Sequence, residues 1–219
     1  RTGEPPTENG RNVPALRDLF ELEGAPADRR PLPEGPFRGE AGLLTGAGGS
    51  LGRAVARRLA ELPLEGLLLL DTSEHGLTTL EDDLKDRLGW EAPRDEAGGN
   101  SPELGPDPEY LLADLRVEAD RKRALRASPT AVIHAAAYKH VPFLEKRPIP
   151  AAQNNLLATA DWLRACRAAP SVERFTLVST DKAAAPTGVM GATKAGCERL
   201  LRSARQGLEP GLVPTTIRL

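Results

Sequence analysis

One stretch constrains the fold more than any other. Leu43-Leu44-Thr45 is a short apolar run that breaks into Gly46-Ala47-Gly48-Gly49-Ser50-Leu51-Gly52 and then gives way to helical periodicity, with Leu51, Val55, Leu59 and Leu62 on one face. Glycines let a backbone turn tightly at the end of a strand, approach a bulky anion closely and pack the next helix against the strand. Free N–H groups in the first helical turn, at the positive end of the helix, then favour a pyrophosphate. Gly66 punctuates the chain again, and Leu67-Leu68-Leu69-Leu70 runs to Asp71, nineteen positions beyond Gly52. A carboxylate about twenty residues after such a loop is placed to accept hydrogen bonds from a ribose. Strand, glycine turn, helix, strand and acid specify the first βαβ unit of a dinucleotide-binding sheet.

The rest of the chain continues the alternation. Leu77, Leu80, Leu84 and Leu88 mark a helix that Ser73 can cap. Tyr110-Leu111-Leu112-Ala113-Asp114-Leu115 reads as the third strand, with Asp114 at its carboxyl edge, and Val117 to Ala127 as a charged surface helix. Thr130-Ala131-Val132-Ile133-His134 is a buried strand, and the small Ala135-Ala136-Ala137 after it allows a flat ligand to approach. Ala151 to Ala168 reads as a helix with Leu156, Leu157, Ala160 and Leu163 inward and Pro150 near its start. Phe175 to Val178, Gly188 to Arg205 and Pro214 to Leu219 supply the fifth strand, the next helix and a sixth strand. The pattern predicts an α/β fold, a Rossmann-type doubly wound parallel sheet spanning 41–219, with ligand sites above the carboxyl ends of the strands.

Two segments fall outside that pattern. Residues 1–40 carry Pro5, Pro6, Pro14, Pro26, Pro31, Pro33 and Pro36 and read as an N-terminal arm or linker, in which only Val13 to Glu23 has helical character. Residues 91–108 hold four further prolines and three glycines and read as a flexible insertion.

Composition narrows the function. A formal charge of −2 with acids and bases interspersed gives no basic surface for nucleic acid. Cys166 and Cys197 lie far apart in helical segments, which fits buried thiols in a reducing, cytoplasmic compartment better than a disulfide. His75, His134 and His140 have no ligand spacing with each other or with the cysteines, so no metal is expected. No apolar stretch reaches the roughly eighteen residues a membrane helix needs. The chain opens on Arg1, so its start reads as trimmed, and any membrane anchor is expected in a segment preceding it.

The spacing Thr45-Gly46-x-x-Gly49-x-x-Gly52 resembles the cofactor loop of the extended short-chain dehydrogenase/reductases. Three further stretches, His134-Ala135-Ala136-Ala137-Tyr138-Lys139-His140-Val141-Pro142, Asn154-Asn155, and Ser179-Thr180-Asp181-Lys182-Ala183 through Met190-Gly191-Ala192-Thr193-Lys194, resemble the nucleotide-sugar 4,6-dehydratases of the polysaccharide-biosynthesis (capsule and flagellin-glycan) type. The resemblance covers about Leu43 to Leu219. It implies NAD, a UDP-sugar such as UDP-N-acetylglucosamine, and a lyase reaction in surface-glycan synthesis. It assigns Thr45, Gly46, Gly49, Ser50, Leu51, Gly52, Asp71, Asp114, Leu115, Ala135, Ala136, Ala137, Asn155 and Lys194 to the cofactor. Thr72-Ser73-Glu74-His75 offers no arginine or lysine for a 2′-phosphate, which favours NAD over NADP.

The catalytic set is Thr180, Asp181, Lys182, Met190 and Lys194. Oxidising a sugar hydroxyl needs a hydride acceptor, a hydrogen bond to the oxygen and a group to take its proton. Thr180 can supply the hydrogen bond, and Lys194, one turn from Met190, can hold the nicotinamide ribose. Relatives usually carry tyrosine at the position of Met190, although the branch this chain resembles has methionine there. Asp181 and Lys182 supply an acid and a base for eliminating water from C6 once C4 is a ketone. Lys139 and His140 either meet the substrate phosphate or are solvated. Relatives more often have asparagine at the positions of Ala185 and Gly188.

The epimerases of the same class need the hydride step but no elimination pair, and a cofactor-binding module needs neither. Family resemblance, with Trp162, Leu163, Leu200 and Leu201 as apolar area, also implies a homodimer through the helices Ala151 to Ala168 and Gly188 to Arg205. A substrate subdomain following the sixth strand in relatives is largely missing after residue 219, so this chain is expected to bind NAD without turning over a nucleotide sugar.

Overall fold

The computed structural model describes residues 39–88, 107–206 and 211–219. Nearly all of the expected arm and most of the 91–108 insertion lie outside them. Elements follow in the order β1 (Ala41–Thr45), α1 (Ser50–Ala60), β2 (Gly66–Asp71), α2 (Glu74–Leu88), β3 (Glu109–Leu112), α3 (Glu118–Leu125) and β4 (Ala131–His134). Then come α4 (Val141–Glu145), α5 (Pro148–Ala151), a π-helical turn (Ala152–Leu157), α6 (Ala158–Ala168), β5 (Arg174–Ser179), a 3-10 turn (Asp181–Ala183), α7 (Val189–Gln206) and β6 (Val213–Arg218). All strand pairs are parallel, in the order β3-β2-β1-β4-β5-β6.

That order reverses direction between β1 and β4. Connections from the two leave toward opposite sides of the sheet, which opens a crevice above their carboxyl ends. Successive strand residues face opposite sides. Leu44, Leu67, Leu69 and Ile133 therefore pack under α1 and α2 with Val55, Leu59 and Leu80, while Leu43, Leu68, Leu70, Val132 and Phe175 pack under Trp162, Cys166 and Leu201 of the other layer. The near-continuous leucine run of β2 reflects a strand covered on both faces. Both cysteines are free and buried in the second layer, as their setting implies.

Several boundaries differ from the sequence reading. The third strand ends at Leu112, because the Ala113 N–H bonds Asp71 O and the chain then turns so that Val117 N–H meets Asp114 O; Asp114 and Leu115 lie in that turn. The helix read over Val117 to Ala127 is confined to Glu118–Leu125. Leu157, expected inward, is 56% exposed. Leu157 stands six positions before Leu163, which is not a same-face spacing on a helix, whereas Leu156, seven before, packs against that layer. Trp162, Leu163 and Leu201 are buried inside the second layer, so three of the four residues that supplied the expected dimer area are already used by the sheet.

Candidate active site

A cleft of about 640 Å3 runs over the carboxyl ends of β1, β2, β4 and β5. Its floor is the glycine loop. Gly46 has φ 77°, and the N–H groups of Gly46 and Ala47 both bond Leu70 O, at 2.8 and 3.1 Å. A Cβ on Gly46 would lie 2.6 Å from Ala136 N, and one on Gly52 would overlap the Gly46 carbonyl oxygen. The loop thus lies against β4 on one side and α1 on the other with no room for side chains, leaving α1's first turn open to an anion.

Asp71 closes the far end of the loop. One carboxylate oxygen accepts the Gly48 N–H and the other the Ser73 N–H, each at 2.9 Å, and Ser73 Oγ in turn accepts the Gly76 N–H at 3.0 Å to cap α2. Asp114 and Arg116 form the next part of the wall. The Arg116 guanidinium reaches both Asp114 oxygens, at 2.6 to 3.0 Å, and holds that carboxyl below the usual range.

Beyond β4 the wall is set from behind. Asn155, in the π-helical turn, accepts the Tyr138 N–H at 2.8 Å and donates to Tyr138 O at 3.0 Å, and its amide also meets Thr193 and Asn154. The side chain has used its hydrogen-bonding positions, and at 1% exposure it does not reach the cleft surface. Thr45 is likewise fully buried, its hydroxyl bonded to His134. Thr45 and Asn155 are both assigned to the cofactor by the resemblance, and Asn155 organises the helix and site through its amide as the matching asparagine of relatives implies. Both sit behind the residues that can touch a cofactor, because the register and the π-helical turn direct them into the protein.

At the end of β5, Thr180, Met190 and Lys194 line the cleft together. Lys194 is 4% exposed and donates to Val178 O at 2.9 Å. Burial lowers its pKa, and an ammonium has three N–H groups, so two remain for a ligand in the cleft. Thr180 Oγ1 donates to Asp181 at 2.9 Å, and Lys182 Nζ lies 3.3 Å from the same oxygen. The Asp181 and Lys182 side chains are 78% and 60% exposed at the rim, outside the cleft lining. The Thr180 hydroxyl and then Lys182 lower the Asp181 pKa.

The other predicted cofactor residues, Gly46, Gly49, Ser50, Leu51, Gly52, Asp71, Asp114, Leu115, Ala135, Ala136 and Ala137, all line the cleft, as do Lys139 and His140. Lys139 Nζ lies 3.4 Å from Ser50 Oγ, above the start of α1.

Sequence reasoning missed three supports. Glu198, 3% exposed, joins Ser179 at 2.7 Å to the Arg218 guanidinium at 2.8 and 2.6 Å, pinning the ends of β5 and β6 beneath Thr180. Glu145 accepts the Val189 N–H at 2.7 Å, capping the helix that carries Met190 and Lys194, and a Cβ at Gly188 would meet that carboxylate and make it shift. His134 bridges Thr45 and Thr159. The glycine at 188 is a local signal for the second, while the other two are contacts between distant segments that periodicity does not reveal.

A dinucleotide fits this cleft: the glycine cradle admits no side chain, the Asp71 carboxylate is held at the end of β2, and the buried Lys194 ammonium stands beside Thr180. Among the described residues there is no group of acids, histidines and cysteines able to hold a metal, and no helix long and apolar enough to cross a membrane.

Known proteins are similar to this chain in sequence and in fold. The chain is 33% identical over 168 residues to the capsular polysaccharide biosynthesis protein CapD of Staphylococcus aureus, covering 75% of this chain and 25% of the relative. It is 35% identical over 95 residues to a UDP-N-acetylglucosamine 4,6-dehydratase (inverting) of Campylobacter jejuni, covering 43% of this chain and 28% of the relative. In fold it is similar to Pen from Bacillus thuringiensis, with a TM-score of 0.70 and 24% identity over 83% of this chain and 50% of that one. DesIV of Streptomyces venezuelae, a dTDP-glucose 4,6-dehydratase solved with NAD, gives 0.63 and 21% over 80% and 55%. The chain thus spans about a quarter of the length of these curated relatives and about half of the solved structures. Residues 43–212 match the family described as polysaccharide biosynthesis protein, and the chain belongs to that family, as its separated motifs imply.

Proposed function

We propose that this chain forms the cofactor-binding and oxidation site of an NAD-dependent UDP-sugar 4,6-dehydratase of surface-glycan synthesis. One observation carries the reading: Thr180, directly after β5 and bonded to Asp181 at the rim with Lys182, lines the cleft beside Lys194 and opposite a glycine cradle whose acid is Asp71. NAD is favoured over NADP because Asp71 would repel a 2′-phosphate and residues 72–75 hold no compensating cation. When bound, the nicotinamide accepts a hydride from the sugar's C4 and returns it at C6.

The chain's own residues do the rest. Thr180 spends its proton on Asp181, so its oxygen is free to accept the proton of a sugar hydroxyl. The Lys194 charge stabilises the oxygen as that proton passes to Thr180 Oγ1 and the threonine's own proton passes to the Asp181 carboxylate. Asp181 and Lys182 stand as an exposed ion pair, whereas elimination needs a protonated acid and a neutral base. The relay through Thr180 protonates the carboxylate, and covering the pair with a sugar desolvates the Lys182 ammonium and favours loss of its proton to water, giving that form. The free thiols fit a reducing cytoplasm.

A C4 epimerase is the second reading, favoured by the fold shared with a UDP-Glc/GlcNAc 4-epimerase of Campylobacter jejuni at a TM-score of 0.67. Incubation with NAD and UDP-N-acetylglucosamine, followed by NMR of the sugar, separates the readings. A 4-keto-6-deoxy product supports dehydration, a C4 epimer supports the second reading, and bound NAD with unchanged sugar identifies a cofactor-binding module.

A further inference from the structure

His134 ends β4 directly opposite Thr45 in the sheet register, and its ring is 2% exposed. Nδ1 lies 2.7 Å from Thr45 Oγ1 and Nε2 lies 2.8 Å from Thr159 Oγ1. Thr159 has a single hydroxyl proton and gives it to the main-chain oxygen of Asn155 at 2.7 Å. Toward His134 it must therefore accept, which puts the ring proton on Nε2. Nδ1 is then an acceptor for the Thr45 hydroxyl, and Thr45 Oγ1 in turn accepts the Ala136 N–H at 3.4 Å. Every proton from Ala136 to Asn155 is assigned without conflict, and all bonds run in one direction.

One end of this chain lies against the glycine loop and the other in the π-helical turn behind the cleft wall. Ala136 N is the atom that a side chain on Gly46 would strike, so it rests on the dinucleotide loop. Asn155 belongs to the π-helical turn and grips Tyr138 by both backbone groups. Charging the ring would add an N–H that turns the Thr45 hydroxyl away from its acceptor. Burial first, and the nearby Lys194 ammonium second, oppose that charge and lower the ring's pKa to about 3.

We propose that His134 is a positioning residue, fixed as the neutral Nε2–H tautomer, that couples the glycine loop at Thr45 and Ala136 to the Asn155 turn holding Tyr138. Cofactor affinity then depends on Thr45 and Thr159, although neither lines the cleft. The coupling rests on the dinucleotide reading above, whereas the tautomer does not.

Two measurements test it. Two-bond proton–nitrogen correlation spectra of the labelled wild-type protein, without cofactor, read the ring directly. The expected result is a proton on Nε2 and a bare Nδ1, unchanged between about pH 5.5 and 8. A proton on Nδ1, or a ring that charges in that range, overturns the assignment. NAD titrations of Thr159→Val, His134→Phe and His134→Asn read the coupling. The first two should bind about tenfold more weakly, and His134→Asn, which keeps an acceptor for Thr45, should recover part of the loss. Wild-type affinity in folded Thr159→Val and His134→Phe, or no recovery in His134→Asn, overturns it, since a purely structural histidine would shift only the unfolding midpoint. Absence of NAD binding by the wild type would sink the dinucleotide reading instead, with the tautomer still measured independently.

Discussion

The Gly48 N–H donates to the Asp71 carboxylate at 2.9 Å, which ties the glycine loop to the end of β2 before any ligand arrives. In the proposed function that bond also orients the carboxylate for a ribose. Asp71→Ala removes both the ribose acceptor and the loop tether. It should weaken NAD by about tenfold or more and narrow the preference over NADP, read by parallel titrations. An unchanged preference would remove Asp71 from the account.

Lys194 acts from the other end. Lys194→Met keeps the apolar stem and deletes a buried charge, so the unfolding midpoint should change little while NAD affinity falls by about 10- to 100-fold. A variant that unfolds more readily but binds normally would show that Lys194 serves only the Val178 carbonyl.

Glu198 supports the site without touching it. Glu198→Ala leaves Ser179 and Arg218 without their shared acceptor and should cost about 1 to 3 kcal/mol in denaturant melts, with Glu198→Gln losing less. Arg218 first, then Ser179, lower the pKa of Glu198. Its contribution is thus present above the ordinary glutamate value of 4.5 and is lost as pH falls below it.

His134 gives a second acid dependence in a different window. Its ring stays neutral in the fold down to about pH 3, whereas the unfolded chain takes up a proton near pH 6.5. The unfolded state binds more protons between those values, so stability declines as pH falls from about 6.5 toward 3. Urea midpoints at about pH 7.5 and 5.5 should differ in the wild type and converge in His134→Phe. An equal slope in both proteins would assign the effect elsewhere.

The glycine loop and Asp71 were legible in the sequence because their chemistry is local: a turn, a helix start and a strand end within one βαβ unit. Strand number and parallel order followed from the alternation of apolar runs with helical stripes. Thr45 and Asn155 lie behind the cleft wall, because whether a residue faces the cleft or lies behind it depends on register and on the π-helical turn, neither of which periodicity encodes; the organising amide of Asn155 is legible only through the resemblance to relatives. Trp162 read as surplus apolar area because a sequence does not show how much side-chain volume the second layer needs; the ring is fully enclosed there. The Glu198 and Arg218 pair joins α7 to β6 and is visible only once the sheet is assembled.

Gly52 gives a steric test of the cradle. Gly52→Ala would drive a methyl group into the Gly46 carbonyl, so the loop must open, whereas Gly66→Ala meets nothing within 4 Å. The first should lose NAD binding and the second retain it. Equal affinity in the two would mean that the ligand does not sit on this loop.

The central claim is that the cleft between β1 and β4 is a dinucleotide site, and calorimetric titration of NAD into the purified protein tests it most directly. The account predicts saturable binding of one NAD per chain, with NADP weaker under the same conditions. No saturable heat with NAD, or tighter binding of NADP, would contradict it.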